Sequence, residues 1–392
     1  MIDRTKVWAG TLNEVALGGR AKRSVGFYDT TLRDGEQAVG AAFDPAQKLE
    51  IAKLVDGLGV GRIEAGFPRV SEEDREAIRA ITQAGLKAEI WGFSRALVDD
   101  VEAVVDLGLR FCVIEAPISD PKLAALGVTR EQVLGRIEKA VAFAVRNDVR
   151  VAFFGVDSTR ADLGFFERVY RAALDVGAAE IAIVDTLGIA TPEAVTFLIG
   201  RTREWVGDGV PIHFHGHNDF GLATASAIAA VYAGASWIHG TVDGIGERGG
   251  NANLPEIALA LELLYGVETG LRLDRARRAS ERLREIGRYQ LEPWKPVTGE
   301  NLFVRETGAV AAQFHIPEAI EPYAASLLDT PRGIVLGKKS GAASITLKCE
   351  ELGLPARPEK VATLLAAVKS LALEKRGLVT DEEFAAIVHR HG

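Results

Sequence analysis

From Val25 onward the chain alternates between short β-rich runs and longer segments of helical period. The short runs are Val25–Asp29, Arg62–Ala65, Ala88–Trp91, Phe111–Glu115, Val151–Val156, Ile181–Val184, Ile212–His215 and Trp237–Gly240. The helical stretches among them include Pro45–Leu58, Glu72–Gln83, Arg130–Arg146, Gly164–Val176, Pro192–Val206, Gly221–Ala233 and Leu254–Tyr265. A strand followed by a helical crossover is joined by the next strand in parallel, so this order predicts βα units. The series reaches eight strands with eight following helices and ends near Gly266. Eight such units in about 240 residues is the size of a closed (β/α)8, or TIM, barrel. A doubly wound open sheet is the alternative, but no G-x-G-x-x-G follows the first strand. The expected fold class is therefore α/β: a TIM (β/α)8 barrel over 25–270, preceded by an arm at 1–24. A linker and a smaller, mostly helical subdomain complete it over 271–392.

The C-terminal part has a different character. Leu273 to Glu285 reads as an Arg- and Glu-rich helix, Leu291–Gly299 as a Trp- and Pro-containing linker, and 300–344 as irregular with short helices. Pro358–Arg376 and Thr380–His389 read as two amphipathic helices. A formal net charge of -8 argues against a nucleic-acid footprint, which needs clustered excess Lys and Arg. Cys112 and Cys349 are too few and too far apart for a disulfide framework. No apolar run reaches the roughly 18 residues of a membrane span, and the N-terminus lacks a signal-peptide apolar region. These features predict a cytoplasmic enzyme acting on small molecules, with no membrane and no nucleic-acid partner.

Ile212 to Gly221, I-H-F-H-G-H-N-D-F-G, contains three of the seven histidines. Side chains at i, i+2 and i+4 of a strand share one face, so two of these imidazoles can converge on one divalent cation. A barrel also demands that active-site groups sit just past the C-terminal ends of its strands. Three clusters obey. Arg33, Asp34, Glu36 and Gln37 follow the first strand, His215 and His217 end the seventh, and Glu247, Arg248 and Asn251 follow the eighth. Strands one, seven and eight adjoin in a closed barrel, which predicts that the clusters meet. The competing role for Asp34 and Glu247 is that of loop carboxylates bonding backbone amides.

The motifs carry a resemblance. D-T-T-L-R-D-G-E-Q at Asp29–Gln37 resembles the signature of the metal-dependent Claisen-condensing enzymes, the isopropylmalate, homocitrate and citramalate synthases. Their wider superfamily includes hydroxymethylglutaryl-CoA lyase and pyruvate carboxylase. I-E-A-G-F-P at Ile63–Pro68, V-D-T-L-G-I-A-T-P at Val184–Pro192, H-G-H-N-D at His215–Asp219, G-E-R-G-G-N at Gly246–Asn251 and G-K-K-S-G at Gly337–Gly341 are similar to the synthase branch. The resemblance implies condensation of an acyl-CoA, acetyl-CoA first, with a metal-bound 2-oxo acid, by a homodimer. It implies Asp34, His215 and His217 as metal ligands with Asn251 at or just behind them. Mixed oxygen and nitrogen donors leave Mg, Mn, Zn and Co open. It gives Arg33 the developing alkoxide. Thr186 and Arg160 are expected to face the substrate carboxylate, and Glu64 and Gln37 its tail or the metal shell. His213 has no matching role and is expected to be a core residue.

The departure lies in the C-terminal part. The synthases carry a stretch like F-T-H-E-S-G-I-H, whose last His helps deprotonate the acyl-CoA, and a Tyr about ten residues on. Here Phe303–Val310 reads F-V-R-E-T-G-A-V, and the Tyr position falls near Ile320. Val and Ile transfer no proton. His315 and Tyr323 are the nearby candidates to replace them. The readings that remain are a synthase with a differently supplied base, a lyase or aldolase of the same superfamily, and a non-catalytic metal-binding barrel.

Overall fold

The computed structural model describes residues 2–18, 24–355 and 357–391. Part of the arm expected over 1–24, namely Met1 and 19–23, lies outside the described residues. Eight parallel strands close into a barrel in chain order: β1 (Gly26–Asp29), β2 (Arg62–Gly66), β3 (Glu89–Arg95), β4 (Phe111–Pro117), β5 (Arg150–Val156), β6 (Glu180–Asp185), β7 (Ile212–Gly216) and β8 (Trp237–Gly240). β8 pairs back onto β1, with Tyr28 opposite His239. All eight fall where the β-rich runs are. β3 runs on to Arg95 because Phe93 and Arg95 continue the inward alternation, opposite Val113 and Glu115 of β4. The helix Val98–Asp106 follows β3, and β4 is followed by two helices, Asp120–Leu126 and Arg130–Arg146. Side-chain caps open several helices. Asp44 and Thr129 each form a reciprocal box with the Gln three residues on.

The lumen is filled in layers, as alternation requires. Tyr28, Trp91, Phe93, Val113, Ala152, Phe154, Ala182 and Val184 form the apolar middle. Below them, at the N-terminal ends of the strands, lies a buried polar network. Arg62 forks onto Glu180 at 2.6 and 3.0 Å and reaches Glu89 at 2.8 Å. His213 Nε2 lies 2.6 Å from Glu180 Oε2, and its Nδ1 lies 2.9 Å from His239 Nε2. His239 in turn stacks on Tyr28 with ring centroids 4.0 Å apart. His213 is thus a fully buried floor residue.

Two compact units divide the chain, Leu12–Gln290 and Met1–Thr11 with Leu291–Gly392. Helix Ala276–Gly287 packs on Pro45–Leu58, where Arg282 forks onto Glu50 at 2.5 and 3.0 Å, and Ser280 donates to buried Asp243 at 2.8 Å. The first residues also differ from a free arm: Val7 forms a β-bridge with Tyr323 inside the second unit. That unit holds a short parallel pair, Val304–Arg305 with Gly333–Ile334, and, among its longer helices, Ala342–Leu352, Val361–Lys375 and Asp381–His391. The first of these helices starts at the end of the stretch expected to be irregular with short helices. Ile345, Cys349, Leu364, Val368, Phe384 and Val388 form their common core. The apolar faces of the two terminal helices are therefore covered largely by their own unit. Among the described residues, no helix is long and apolar enough to cross a membrane.

Candidate active site

The loop after β1 is wound around one carbonyl. Arg33, Asp34 and Gly35 all donate their N–H groups to Thr30 O, at 3.1, 2.8 and 3.0 Å. Asp29 accepts from Thr31 N and Oγ1 at 2.9 and 2.8 Å, while Thr31 Oγ1 accepts from Val242 N at 3.0 Å. The D-T-T-L-R-D-G-E-Q segment is thereby tied to the end of β8, and Asp34 points at the end of β7. His215 Nε2 lies 3.1 Å and His217 Nε2 3.7 Å from Asp34 Oδ2. One ligand atom from each of the three residues lies within 4.8 Å of the others, and all three residues are buried.

The loop after β8 supplies the fourth group. Asn251 bridges to His217 through the backbone and anchors its own Nδ2 on Ile245 O at 3.0 Å. Its Oδ1 is buried and makes no hydrogen bond among the described residues. Gly250 takes φ +81° here, and a Cβ at that position would sit on the Gly244 carbonyl oxygen. Glu247 pairs with Arg248, whose guanidinium reaches Asp219 at 2.8 Å and Thr186 O at 2.6 Å. Glu247 is thus a loop carboxylate that helps hold the rim.

The field suits a cation. Burial alone would raise the Asp34 carboxyl, but Arg33, His215 and His217 hold it well below the usual carboxylate range. Burial and then the neighbouring His215 push His217 down to about 4, so its imidazole is neutral. His217 Nδ1 lies 3.2 Å from Gly250 O, which leaves Nε2 as the lone-pair nitrogen. A buried carboxylate and two imidazoles converging within 4.8 Å are a donor set that suits a divalent metal.

Arg33 stands beside this centre. Its Nε donates to Glu64 Oε2 at 2.8 Å, its Nη1 lies 3.3 Å from Asp34, and its guanidinium packs over the Phe93 ring at 4.4 Å. Glu64 is fully buried on β2 with Oε1 unpartnered. Burial raises its carboxyl, against the pull of Arg33. Thr186 Oγ1, past β6, accepts from Asp157 N at 2.8 Å. Arg160, expected as a fork for the substrate carboxylate, closes its fork on buried Asp157 at 2.5 to 3.0 Å instead. Asp157 is left-handed at φ 66° and needs that cation beside its buried charge. Gln37 ends the short turn Gly35–Gln37 and is exposed.

The HMGL-like family pattern matches residues 24–283, the whole barrel. The chain is 43% identical over 363 residues to the homocitrate synthase AksA of Methanopyrus kandleri, covering 92% of this chain and 91% of that protein. It is 38% identical over 367 residues to a putative (R)-citramalate synthase CimA of Archaeoglobus fulgidus, covering 93% and 74%. The chain belongs to the HMGL-like family and to its condensing-synthase branch. Among solved structures, the HMG-CoA lyase of Bacillus subtilis superposes with a TM-score of 0.63 at 16% identity, over 69% of this chain and 95% of that one. That likeness is one of fold.

Two further features bear on the chemistry of this synthase-family chain. The positions expected for proton transfer are a half-buried Val310, on the short helix Gly308–Ala311, and Ile320. His315 is exposed, whereas Tyr323 is buried edge-on against Phe303 and its phenol is pushed up to about 12 by burial. The second feature, missed in the sequence, is Glu115 near the end of β4. Burial lifts it to about 7, with Arg33 opposing and Glu64 and Asp34 adding. The signal that could have found it is its phase: Phe111, Val113 and Glu115 alternate onto one face, with Glu115 toward the active rim.

Proposed function

We propose that this chain condenses an acyl-CoA, acetyl-CoA first among candidates, with a 2-oxo acid held at Asp34, His215 and His217. The observation that carries this reading is the convergence of Asp34, His215 and His217, all buried, with one ligand atom from each within 4.8 Å of the others. Asp34, His215, His217 and Asn251 would hold the metal, with Mg, Mn, Zn and Co all compatible with mixed donors. Such an ion supplies Lewis-acid polarisation and orientation of the 2-oxo acid.

The chain's own residues do the rest. Arg33 stays protonated, its charge held by Glu64 and Asp34 against burial. Its guanidinium is assigned to the oxygen that gains negative charge as the new carbon–carbon bond forms, the place where a preorganised cation contributes most. Glu64 positions Arg33 through the 2.8 Å bond to Nε. Thr186 is assigned to the substrate carboxylate, its hydroxyl oriented by Asp157, and Arg160 acts behind it by holding Asp157 in place. Gln37 is assigned to the rim. For the proton taken from the acyl-CoA we assign His315, an exposed imidazole five residues beyond Val310, and give Tyr323 no acid–base part because its phenol is buried. A homodimer is inferred along with the synthase reading.

A thiol-release assay on metal-loaded protein with acetyl-CoA and a panel of 2-oxo acids tests the reading. Free CoA should appear only when both substrates are present and should vanish in Arg33→Ala. Cleavage of a 2-hydroxy or 3-hydroxy acid without any CoA ester would replace it with the lyase reading.

A further inference from the structure

We propose that Glu115 selects the substrate: it makes this site a receptor for 2-oxo acids whose tail ends in a hydrogen-bond donor, and it excludes those whose tail ends in a carboxylate. This inference rests on the reading that a 2-oxo acid sits at the Asp34–His215–His217 centre.

Glu115 faces into the barrel. Val113, two residues before it on β4, belongs to the lumen core, and Phe111 packs against that core. Glu115 continues the column toward the active end, opposite Arg95 of β3 and Phe154 of β5. The charges of Arg33, Glu64, Asp34, His215 and Arg95 act on it, as its inward phase on β4 requires. Among the described residues its carboxylate makes no hydrogen bond and no ion pair. Glu64 Oε1 is likewise without a partner. Two acceptors without a protein partner, the fully buried Glu64 Oε1 on β2 and the half-buried Glu115 on β4, are complementary to a donor.

The cations around them are taken. Arg33 is divided between Glu64 and Asp34. Arg95, beside Glu115 in register, closes on Asp100 at 2.6 and 3.0 Å. Arg160 closes on Asp157. Above Arg150, which is engaged by Glu180 at the floor, the inward column of β5 offers only Ala152, Phe154 and, by alternation, Val156. A tail carboxylate would meet the carboxyl groups of Glu115, Glu64 and Asp34 while the guanidiniums nearest them, Arg33 and Arg95, are already engaged by carboxylates. A hydroxyl or ammonium tail would find acceptors waiting.

Calorimetric titration of the metal-loaded full chain with 4-hydroxy-2-oxobutanoate, 2-oxobutanoate and 2-oxoglutarate tests this. The parent should bind the hydroxy acid about 10- to 100-fold tighter than 2-oxobutanoate, the worth of a hydrogen bond to a charged acceptor. It should bind 2-oxoglutarate weakest. In Glu115→Ala the hydroxy preference should fall to near one and 2-oxoglutarate should gain. Glu115→Gln, which keeps an acceptor without the charge, should retain part of the preference and admit 2-oxoglutarate. Metal stoichiometry and circular dichroism serve as fold controls for both variants. An unchanged affinity ratio in Glu115→Ala, or a parent that binds 2-oxoglutarate as tightly as the hydroxy acid, overturns the inference while leaving the metal-centred reading intact. If 2-oxobutanoate fails to bind the metal-loaded parent, or binds Asp34→Ala equally well, the underlying reading falls and this inference falls with it.

Discussion

Glu180→Ala should destabilise the barrel severely while sparing the metal centre. Glu180 is the first residue of β6 and fully buried. It accepts both Nη groups of Arg62 and the Nε of Arg150, and contacts His213 Nε2 at 2.6 Å. Removing one partner of a buried ion pair leaves an uncompensated charge and costs about 3–5 kcal/mol. The lower end applies, because Arg62 keeps Glu89 at 2.8 Å and Arg150 is half-exposed and can turn to water. A loss of about 3 kcal/mol in a unit of this size lowers the melting temperature by roughly 6–12 °C. Glu180→Gln keeps the shape and loses the charge, so it should fall between. Guanidinium unfolding followed by far-UV circular dichroism gives the midpoints, and calorimetry gives metal affinity, which should match the parent because the ligands lie at the other end of the strands. A Glu180→Ala midpoint within about 1 kcal/mol of the parent would refute the reasoning, since Arg62 would then be stable in the floor without its fork. The pH dependence has a defined sign. Burial holds His213 and His239 below their usual value of 6.5, so the native state binds fewer protons than the unfolded chain. Their contribution is complete above about pH 6.5 and erodes as pH falls below it. Glu180 is likewise held low, by His213 and Arg62 against burial, and its contribution is lost only as pH falls below about 4.5.

Asp34→Ala and His217→Ala should each abolish stoichiometric metal while leaving circular dichroism unchanged. Altering even an outer partner of a metal ligand costs about 10- to 100-fold in affinity, so full occupancy in either variant would sink the assignment. His315→Ala should lower thiol release by about 100-fold or more, the scale of general base catalysis, with 2-oxo acid binding little changed, while Tyr323→Phe should match the parent. A His315→Ala rate equal to the parent would remove His315 from the chemistry. Sedimentation of the full chain should show a dimer, and a monodisperse monomer at micromolar concentration would count against one.

Much of the scaffold is written locally. Strand and helix periods, the capping residues Asp44, Thr129 and Thr191, and the count of eight are short-range properties, and a closed parallel barrel follows from them through the handedness and length of βα crossovers. Closure also brings together residues as distant as Asp34, His215 and Asn251, because β1, β7 and β8 are neighbours only once the sheet meets itself. The rest depended on side-chain neighbours that no spacing encodes. Arg160 reads in sequence as a free fork, but the turn at Asp157 places a buried carboxylate three residues before it, and a charge with no water takes the nearest cation. The helix Ala276–Gly287 reads as a solvated, charge-rich segment, yet Arg282 and Ser280 fasten it to the barrel. Glu115 shows the limit most plainly. Its period could be read along β4, but whether its carboxylate met a partner, water or an empty acceptor's place was decided by what β2, β3 and β5 put opposite it, and that is a property of the closed lumen alone.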